Sequence, residues 1–380
     1  MTFMKKNLIL ISLDTVRADV AYSGQFPAID RLRKLGATFL NSISSSPLTP
    51  VSHATVFTGQ QPYNHGVRHL FKEKIKPGVK TLAQILKLRG YRTGAVVSCP
   101  GMNKWYGFSK GFDIYDDEIP RLSDGSDPLK TVDVKVRGTA LKRADMVVSR
   151  GIKWLENNRD KNFFLFLHFF DAHWPYKAPK KYGGHNVYET EIAYADHYLQ
   201  EFLDYLEKTG LSDNTTIVCF SDHGEDLAGL YPNDKGGKKL GHPEESGHGC
   251  LLYDQTQKVV FIVVDKNAKP RTSISNQVRL VDVAPTILSL LGVKYEAGQF
   301  DGVSLVPFLR HKSRRHLAGY SETFYPEEQT AATKGRFSHA RNKKSLRIAN
   351  KYKIIFHLKS DKVELYDLED DPNELMNLIG

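Results

Sequence analysis

The chain has 380 residues, 41% of them hydrophobic and 25% charged, a balance that supports a sizeable core and excludes long disorder or a low-complexity architecture. Its 53 Lys and Arg against 43 Asp and Glu leave a net charge of +10, which favours anionic partners. Part of the surplus is clustered, in Lys235-Gly-Gly-Lys238-Lys239 and from Arg310 to His316, but without interleaved aromatics, so no specific nucleic-acid recognition is indicated.

Met1 to Asp14 superficially resembles an export signal, with Lys5 and Lys6 before an apolar run. That run, Leu8 to Leu13, is broken by Ser12 and ended by Asp14, and no small-residue cleavage site follows. It is read as a buried first strand, and the chain is expected in the cytoplasm. No apolar run approaches the roughly 20 residues needed to cross a bilayer. Cys99, Cys219 and Cys250 are widely spaced, which predicts reduced thiols and neither a disulfide framework nor a zinc motif.

In chain order, Asn7–Ser12 predicts a strand, and Ala28–Leu35 a helix stopped by Gly36. Thr81–Leu88 predicts a second helix, Gly94–Ser98 a strand, and Ala144–Asn157 a helix. Phe163–Phe169 is a strongly apolar strand, and Glu189–Leu206 carries helical spacing. Thr216–Phe220 and Val259–Val264 predict buried strands, and Val281–Leu291 a helix. This alternation with continuous apolar strands predicts an α/β fold with a mostly parallel sheet covered on both faces. From about Arg310 the texture changes. Leu346–Ala349, Lys353–His357 and Val363–Leu365 predict a small antiparallel β subdomain, giving expected units of 1–310 and 311–380. The polar stretch from Asp116 to Arg143 is long for a loop and is read as a flap near a site.

Polar residues gather just after the strands. Asp14 follows the first, Asp171 and His173 follow Phe163–Phe170, and Asp222 and His223 follow Thr216–Phe220. In a parallel sheet these ends lie side by side, so carboxylates and imidazoles converge as in a metal site built on rigid strands. Singly, each has an ordinary explanation: a helix cap for Asp14, a turn for Asp222-His223-Gly224-Glu225, a packed loop for Asp171 to Tyr176. His168, His185 and His357 lack such context and are read as structural or solvent-exposed.

Six segments, in order, resemble the alkaline phosphatase superfamily and, within it, the sulfatase-like branch. They are Asn7–Asp19, Thr49-Pro-Val-Ser-His53-Ala-Thr-Val-Phe-Thr58-Gly59, Pro62–Arg68, Phe220–Glu225, Val281–Leu288 and Glu364–Leu378. The resemblance implies a three-layer α/β/α sandwich and an ester hydrolase. The departure from the branch is informative. No Cys-x-Pro-x-Arg occurs, so there is no formylglycine precursor. Aligned on Thr58-Gly59, the nucleophile position is Thr49 and the arginine position is His53, with Ser52 a lesser candidate nucleophile.

That departure moves the expectation from sulfate towards phosphate esters. The expected activity is a metal-dependent phosphodiesterase acting through a phospho-Thr49 intermediate. Sulfatase action or soluble phosphotransfer is the alternative, and an inactive phospho-ligand binding module is a distant one. A threonine hydroxyl is a poor nucleophile until a metal or base lowers its pKa. Asp14, Thr49, Asp222 and His223 form the expected metal set, suiting Mn²⁺ or Zn²⁺ better than Ca²⁺ or Mg²⁺. Thr49, read as the N-cap of the helix that begins there, sits where a helix N-terminus offers its positive end to an anion. By resemblance His173 and His248 are the leaving-group pair or a second metal site, with Asp171 and His242 in reserve. His53, Arg68 and Lys239 are the expected substrate contacts, with Lys235 and Lys238 beside the cleft. The substrate is expected to be a small molecule or a polymer.

Overall fold

The computed structural model describes residues 6–379 except 122–123, 128–129, 131–140, 228–240, 244, 246 and 333–340. Two sheets organise the chain. The larger has nine strands: β1 (Asn7–Leu13), β2 (Ala37–Ile43), β3 (Arg92–Val96), β4 (Ile114–Asp116), β5 (Phe163–Phe169), β6 (Thr215–Phe220), β7 (Lys258–Val259), β8 (Phe261–Val264) and β9 (Thr272–Arg279). Its order is β4-β3-β5-β1-β6-β8-β2-β7, with β9 also paired to β2. The run from β4 to β6 is parallel. Beyond β6 the sheet turns mixed, since β8 runs antiparallel to both β6 and β2.

Every residue of β1 and β5 is buried because helices cover both faces. The pleat sorts their side chains. Leu8, Leu10, Phe164 and Phe166 enter one core with Val51, Ala54 and Phe57 of the Thr49–Thr58 helix. Ile9, Ile11, Phe163 and Leu165 enter the other, with the Pro27–Leu35, Ala144–Glu156 and Val187–Lys208 helices. This is the expected three-layer arrangement. Most elements fall within a residue or two of their expected bounds; Leu346–Ala349 is the larger exception, spanning Lys343–Ile348.

Two expectations change. Val281–Leu291 begins with a 3₁₀ turn, Leu280–Asp282, before the Val283–Leu290 helix. The Val259–Val264 run divides into β7 and β8. The second sheet, β10 (Gly319–Thr323), β11 (Lys343–Ile348), β12 (Tyr352–His357) and β13 (Val363–Asp367), is an antiparallel meander. Ser321 of β10 donates to the carbonyl of Ser44 at 2.6 Å, tying this sheet to the loop just before the Thr49–Thr58 helix. Part of the Asp116–Arg143 stretch lies outside the described residues. No described helix is long and apolar enough to cross a membrane.

Candidate active site

The site sits where β1, β5 and β6 end. Asp14 follows β1 and is fully buried. One carboxylate oxygen accepts from the Thr15 hydroxyl at 2.6 Å, and the other lies 3.0 Å from His168 Nε2. Thr15 stands in the left-handed region at φ 66°, an uncommon place for a β-branched residue and a local strain of about 1–3 kcal/mol. That turn aims the Thr15 N–H at Asp222 Oδ1, 3.0 Å away, and the His223 N–H meets the same oxygen at 2.9 Å. Asp222 Oδ2 is buried with no hydrogen-bond partner. It lies 3.3 Å from His223 Nε2 and 3.5 Å from His53 Nδ1. A buried carboxylate oxygen held open in this way is what a cation site presents.

Thr49 is the first residue of its helix, not the cap. Leu48 takes the cap position without a side-chain bond, and a proline follows in the first turn, where its missing N–H costs nothing. The Thr49 hydroxyl is therefore not spent on capping. It lies 3.4 Å from His223 Nε2 and faces a cavity of about 590 Å³. Gly59, at φ 63°, ends the helix, and a Cβ there would meet Phe300 at 2.6 Å. Gly224, after His223, allows Gln255 O so close that a Cβ would stand 2.0 Å from it.

His173 and His248 line the same cavity, with ring centroids 5.0 Å apart, and His223 lies 4.2 Å from His248. His173 Nδ1–H donates to Trp174 O at 2.6 Å. His248 Nδ1 pairs with Glu225 Oε1 at 3.0 Å. Burial, then the neighbouring imidazole, pushes His173 and His248 each down to about 3, so both are neutral. The neutral His173 ring, whose Nδ1–H is spent on a carbonyl, keeps Nε2 as acceptor or ligand. His223 behaves oppositely. Burial works against its charge, but the Asp222 and Asp14 carboxylates outweigh it and raise its pKa. Burial pushes Glu225 up to about 8.

The structure joins Asp14, Thr49, Asp222, His223, His173 and His248 in one place, and it reassigns others. His53 is fully buried beneath Thr49 and does not line the cavity. Its Nδ1–H donates to the Thr49 carbonyl at 2.8 Å, and its Nε2 pairs with the Ser12 hydroxyl at 2.8 Å. It holds the first turn of the Thr49–Thr58 helix from beneath. Arg68 forks onto Glu322, with two bonds of 2.7 Å, and stacks on Phe324. Its charge is neutralised there, and it is not among the cavity-lining residues.

Asp171 pairs with Arg143 and accepts the Ala144 N–H of the Ala144–Glu156 helix, which precedes β5. His242 stacks on Tyr253, and its Nε2 pairs with Glu374 O. Ser52 is buried and donates to Asp222 O, 2.8 Å away, which leaves it unavailable as a nucleophile. Lys235, Lys238 and Lys239 lie outside the described residues.

Two residues went unrecognised as site members. His168, read as structural or exposed, is fully buried against Asp14, with the Ser98 N–H 3.3 Å from its Nδ1. Cys99, read only as a thiol, comes within metal-ligating distance of both. The available signal was a lone histidine in an otherwise apolar strand, Phe163 to Phe169, opposite Ser12 in register. The described residues hold two tight donor sets, Asp14/His53/Asp222 and Asp14/Cys99/His168, each with its atoms within 4.8 Å. In the first, both His53 nitrogens are already engaged. The open capacity therefore lies with the two carboxylates and adjoining His223. Hard oxygens with an imidazole fit a divalent metal, without selecting which one.

A model of the sulfatase family matches residues 6–293, and a model of the N-sulphoglucosamine sulphohydrolase C-terminal region matches residues 249–380. The chain belongs to the sulfatase family. It is a hydrolase that acts on ester bonds. It is 22% identical to arylsulfatase K of Xenopus laevis, over 93% of this chain and 74% of that protein. It is 23% identical to choline-sulfatase of Rhizobium meliloti (strain 1021), over 100% and 83%.

Among solved structures, a protein captured with its substrate D-glucosamine-2-N,6-O-disulfate shares the fold at a TM-score of 0.77 and 19% identity, covering 99% of this chain and 94% of that one. Phosphonate monoester hydrolase of Agrobacterium radiobacter does so at 0.76 and 19%, covering 98% and 91%. The activities named in these relatives are mostly sulfate-ester hydrolysis. They stand nearer to the sulfatase alternative than to the expected phosphodiesterase.

Proposed function

We propose that the chain hydrolyses an anionic ester by transfer of its phosphoryl group to Thr49. The observation that carries this is Thr49 itself: an uncapped hydroxyl at a helix N-terminus, facing the cavity and 3.4 Å from His223 Nε2. The helix N-terminus meets the anion with backbone N–H groups and the positive end of its dipole. His223 Nε2, with Nδ1–H spent on Gly224 O, lies 3.4 Å from Thr49 Oγ1, so a cation held by that nitrogen would also adjoin the hydroxyl and lower its pKa for attack. His53 fixes the Thr49 carbonyl, so the attacking oxygen is held in one orientation. A divalent cation held by Asp14, Asp222 and His223 would polarise the ester and stabilise the transferred oxygens. His173 and His248 line the same cavity and are the groups available to assist departure of the alcohol.

A phosphodiester is favoured over a monoester. The described cavity lining contains no lysine or arginine, and a dianionic monoester needs more positive charge than a monoanionic diester. Sulfate-ester hydrolysis is the second reading, favoured by the sulfatase activities of the relatives. Either covalent intermediate, phosphothreonine or sulfothreonine, is released by water attacking the central atom and freeing the Thr49 oxygen; what weighs against sulfate is that Thr49 lacks the second hydroxyl by which a formylglycine hydrate could eliminate sulfate without that step.

The test is a set of chromogenic esters that share one leaving group, as phosphodiester, phosphomonoester and sulfate. Each is run with chelated and metal-replete protein, and with Thr49→Ala. Fastest cleavage of the diester, with label trapped on Thr49 and the variant silent, supports the proposal. Turnover of the sulfate alone establishes the second reading. Full activity of Thr49→Ala removes both.

A further inference from the structure

Asp14 is prepared to hold a cation by a histidine that the cation would not touch. Resting on the metal centre of the proposed function, we propose that His168 is a positioning residue: it donates its Nε2–H to Asp14 and so fixes the carboxylate that takes the cation. The tautomer follows from the backbone. The Ser98 N–H is directed at His168 Nδ1, 3.3 Å away. A backbone N–H can only donate, so Nδ1 carries a lone pair, the ring is neutral and its one proton sits on Nε2. Nε2 lies 3.0 Å from Asp14 Oδ2, and the bond therefore runs from ring to carboxylate.

Asp14 is held on all sides by neighbouring elements. Its N–H donates to Phe169 O at 2.8 Å, which extends the β1–β5 pairing by one residue. The Thr15 hydroxyl donates to Oδ1 at 2.6 Å, and His168 donates to Oδ2. His168 is wholly buried in β5, opposite Ser12 of β1, and the Ser98 hydroxyl donates to its carbonyl. One oxygen of Asp14 and one of Asp222 lie within 4.8 Å, where like charges repel and a carboxylate free to turn would swing away. Two donors hold Asp14 in place before any cation arrives, and each of its oxygens keeps a lone pair for the metal.

The proton on Nε2 also decides the role of a neighbouring donor set. Asp14, Cys99 and His168 bring three donor atoms within 4.8 Å, but a ring nitrogen that bears a proton has no lone pair to give a metal. In that trio His168 supports Asp14 and does not complete a second cation cage.

The experiment compares wild type, His168→Leu, His168→Gln and Cys99→Ser. Each is stripped of metal and titrated calorimetrically with Mn²⁺ or Zn²⁺. Loss of the donor in His168→Leu should raise the metal Kd by about 10–100-fold. His168→Gln, whose side-chain N–H reaches about as far as Nε2, should recover most of that loss, and Cys99→Ser should bind metal as wild type does. Urea unfolding of the stripped proteins reads folding separately. A merely structural histidine would lower stability and leave the Kd of the folded protein unchanged, which would overturn the proposal.

Nitrogen-15 NMR of stripped wild type should show the His168 ring protonated at Nε2. A proton on Nδ1 would overturn the proposal even if neither His168 variant folds. A loss in Cys99→Ser equal to that in His168→Leu would make the trio a metal site and overturn it as well. If wild type binds neither metal, the metal centre of the proposed function falls and His168 with it. If metal binds and no ester turns over, only the ester chemistry falls, and the His168 comparison still decides.

Discussion

Asp222→Asn separates a carboxylate that holds a cation from one that merely caps a turn. One oxygen of Asp222 and one of Asp14 lie no more than 4.8 Å apart, so at an effective dielectric of about 20 two full charges repel by at least about 3.5 kcal/mol. The amide removes that repulsion. It also weakens the two N–H bonds from Thr15 and His223 by about 1 kcal/mol each, the difference between a charged and a neutral acceptor. It further loses attraction to His223, whose raised pKa reflects both carboxylates. These effects nearly cancel, and the chelated variant should unfold within about 1 kcal/mol of chelated wild type.

Metal then discriminates. At a thousandfold excess over Kd, wild type should gain about 4 kcal/mol, and Asp222→Asn less than about 1 kcal/mol. Urea unfolding of both proteins, with chelator and with Mn²⁺ or Zn²⁺, gives all four values. The reasoning is refuted if the variant gains as much from metal as wild type does. It is equally refuted if the chelated variant is destabilised by more than about 3 kcal/mol, the signature of a structural cap.

Other outcomes follow from the same geometry. The raised pKa of His223 in metal-free protein contributes stability that is complete below its ordinary value of 6.5 and is lost as pH rises through the folded-state value. A chelated stability profile should therefore decline above about pH 6.5, and His223→Asn should flatten that limb. Glu225, held protonated up to about 8, is a carboxyl whose folded pKa lies above its ordinary 4.5. The unfolded chain thus binds fewer protons between those values, stability falls as pH rises through that window, and Glu225→Gln should lessen the slope there in a pH series of unfolding curves. Arg68→Met leaves the buried Glu322 carboxylate without its forked partner. It should cost about 3 kcal/mol in denaturant unfolding while leaving KM unchanged, whereas a substrate-binding arginine would raise KM. Ser12→Ala removes the partner of His53 Nε2 and should lower kcat with little change in KM, measured by steady-state kinetics.

The pattern of success and failure in reading this chain has a physical origin. β1, β5 and β6 are continuous apolar runs because both faces of their sheet are covered, and such runs declare themselves. β2 and β9 lie in the same sheet but carry Thr38, Asn41 and Ser42, and Ser273, Asn276 and Gln277, so neither periodicity nor apolar content marks them. Asn41 instead spends its amide on Ser275 O across the pair, a long-range contact that no local window contains. The site divides in the same way. That Asp14, Asp222 and His223 meet follows from strand ends in a parallel sheet.

Which polar residue after β5 joins them does not follow from strand ends alone. His168 shares the pleat face of Phe164 and Phe166 and so projects beneath the nucleophile helix, where its ring lies 5.0 Å from that of His53. Asp171 falls after the strand has ended and is captured by the Ala144–Glu156 helix, which precedes the strand, through Arg143 and Ala144. Parity along the strand, more than proximity in sequence, allots the roles. By the same logic His53, on the inward face of the Thr49–Thr58 helix one turn after Thr49, had to lie under Thr49 and not in the cavity.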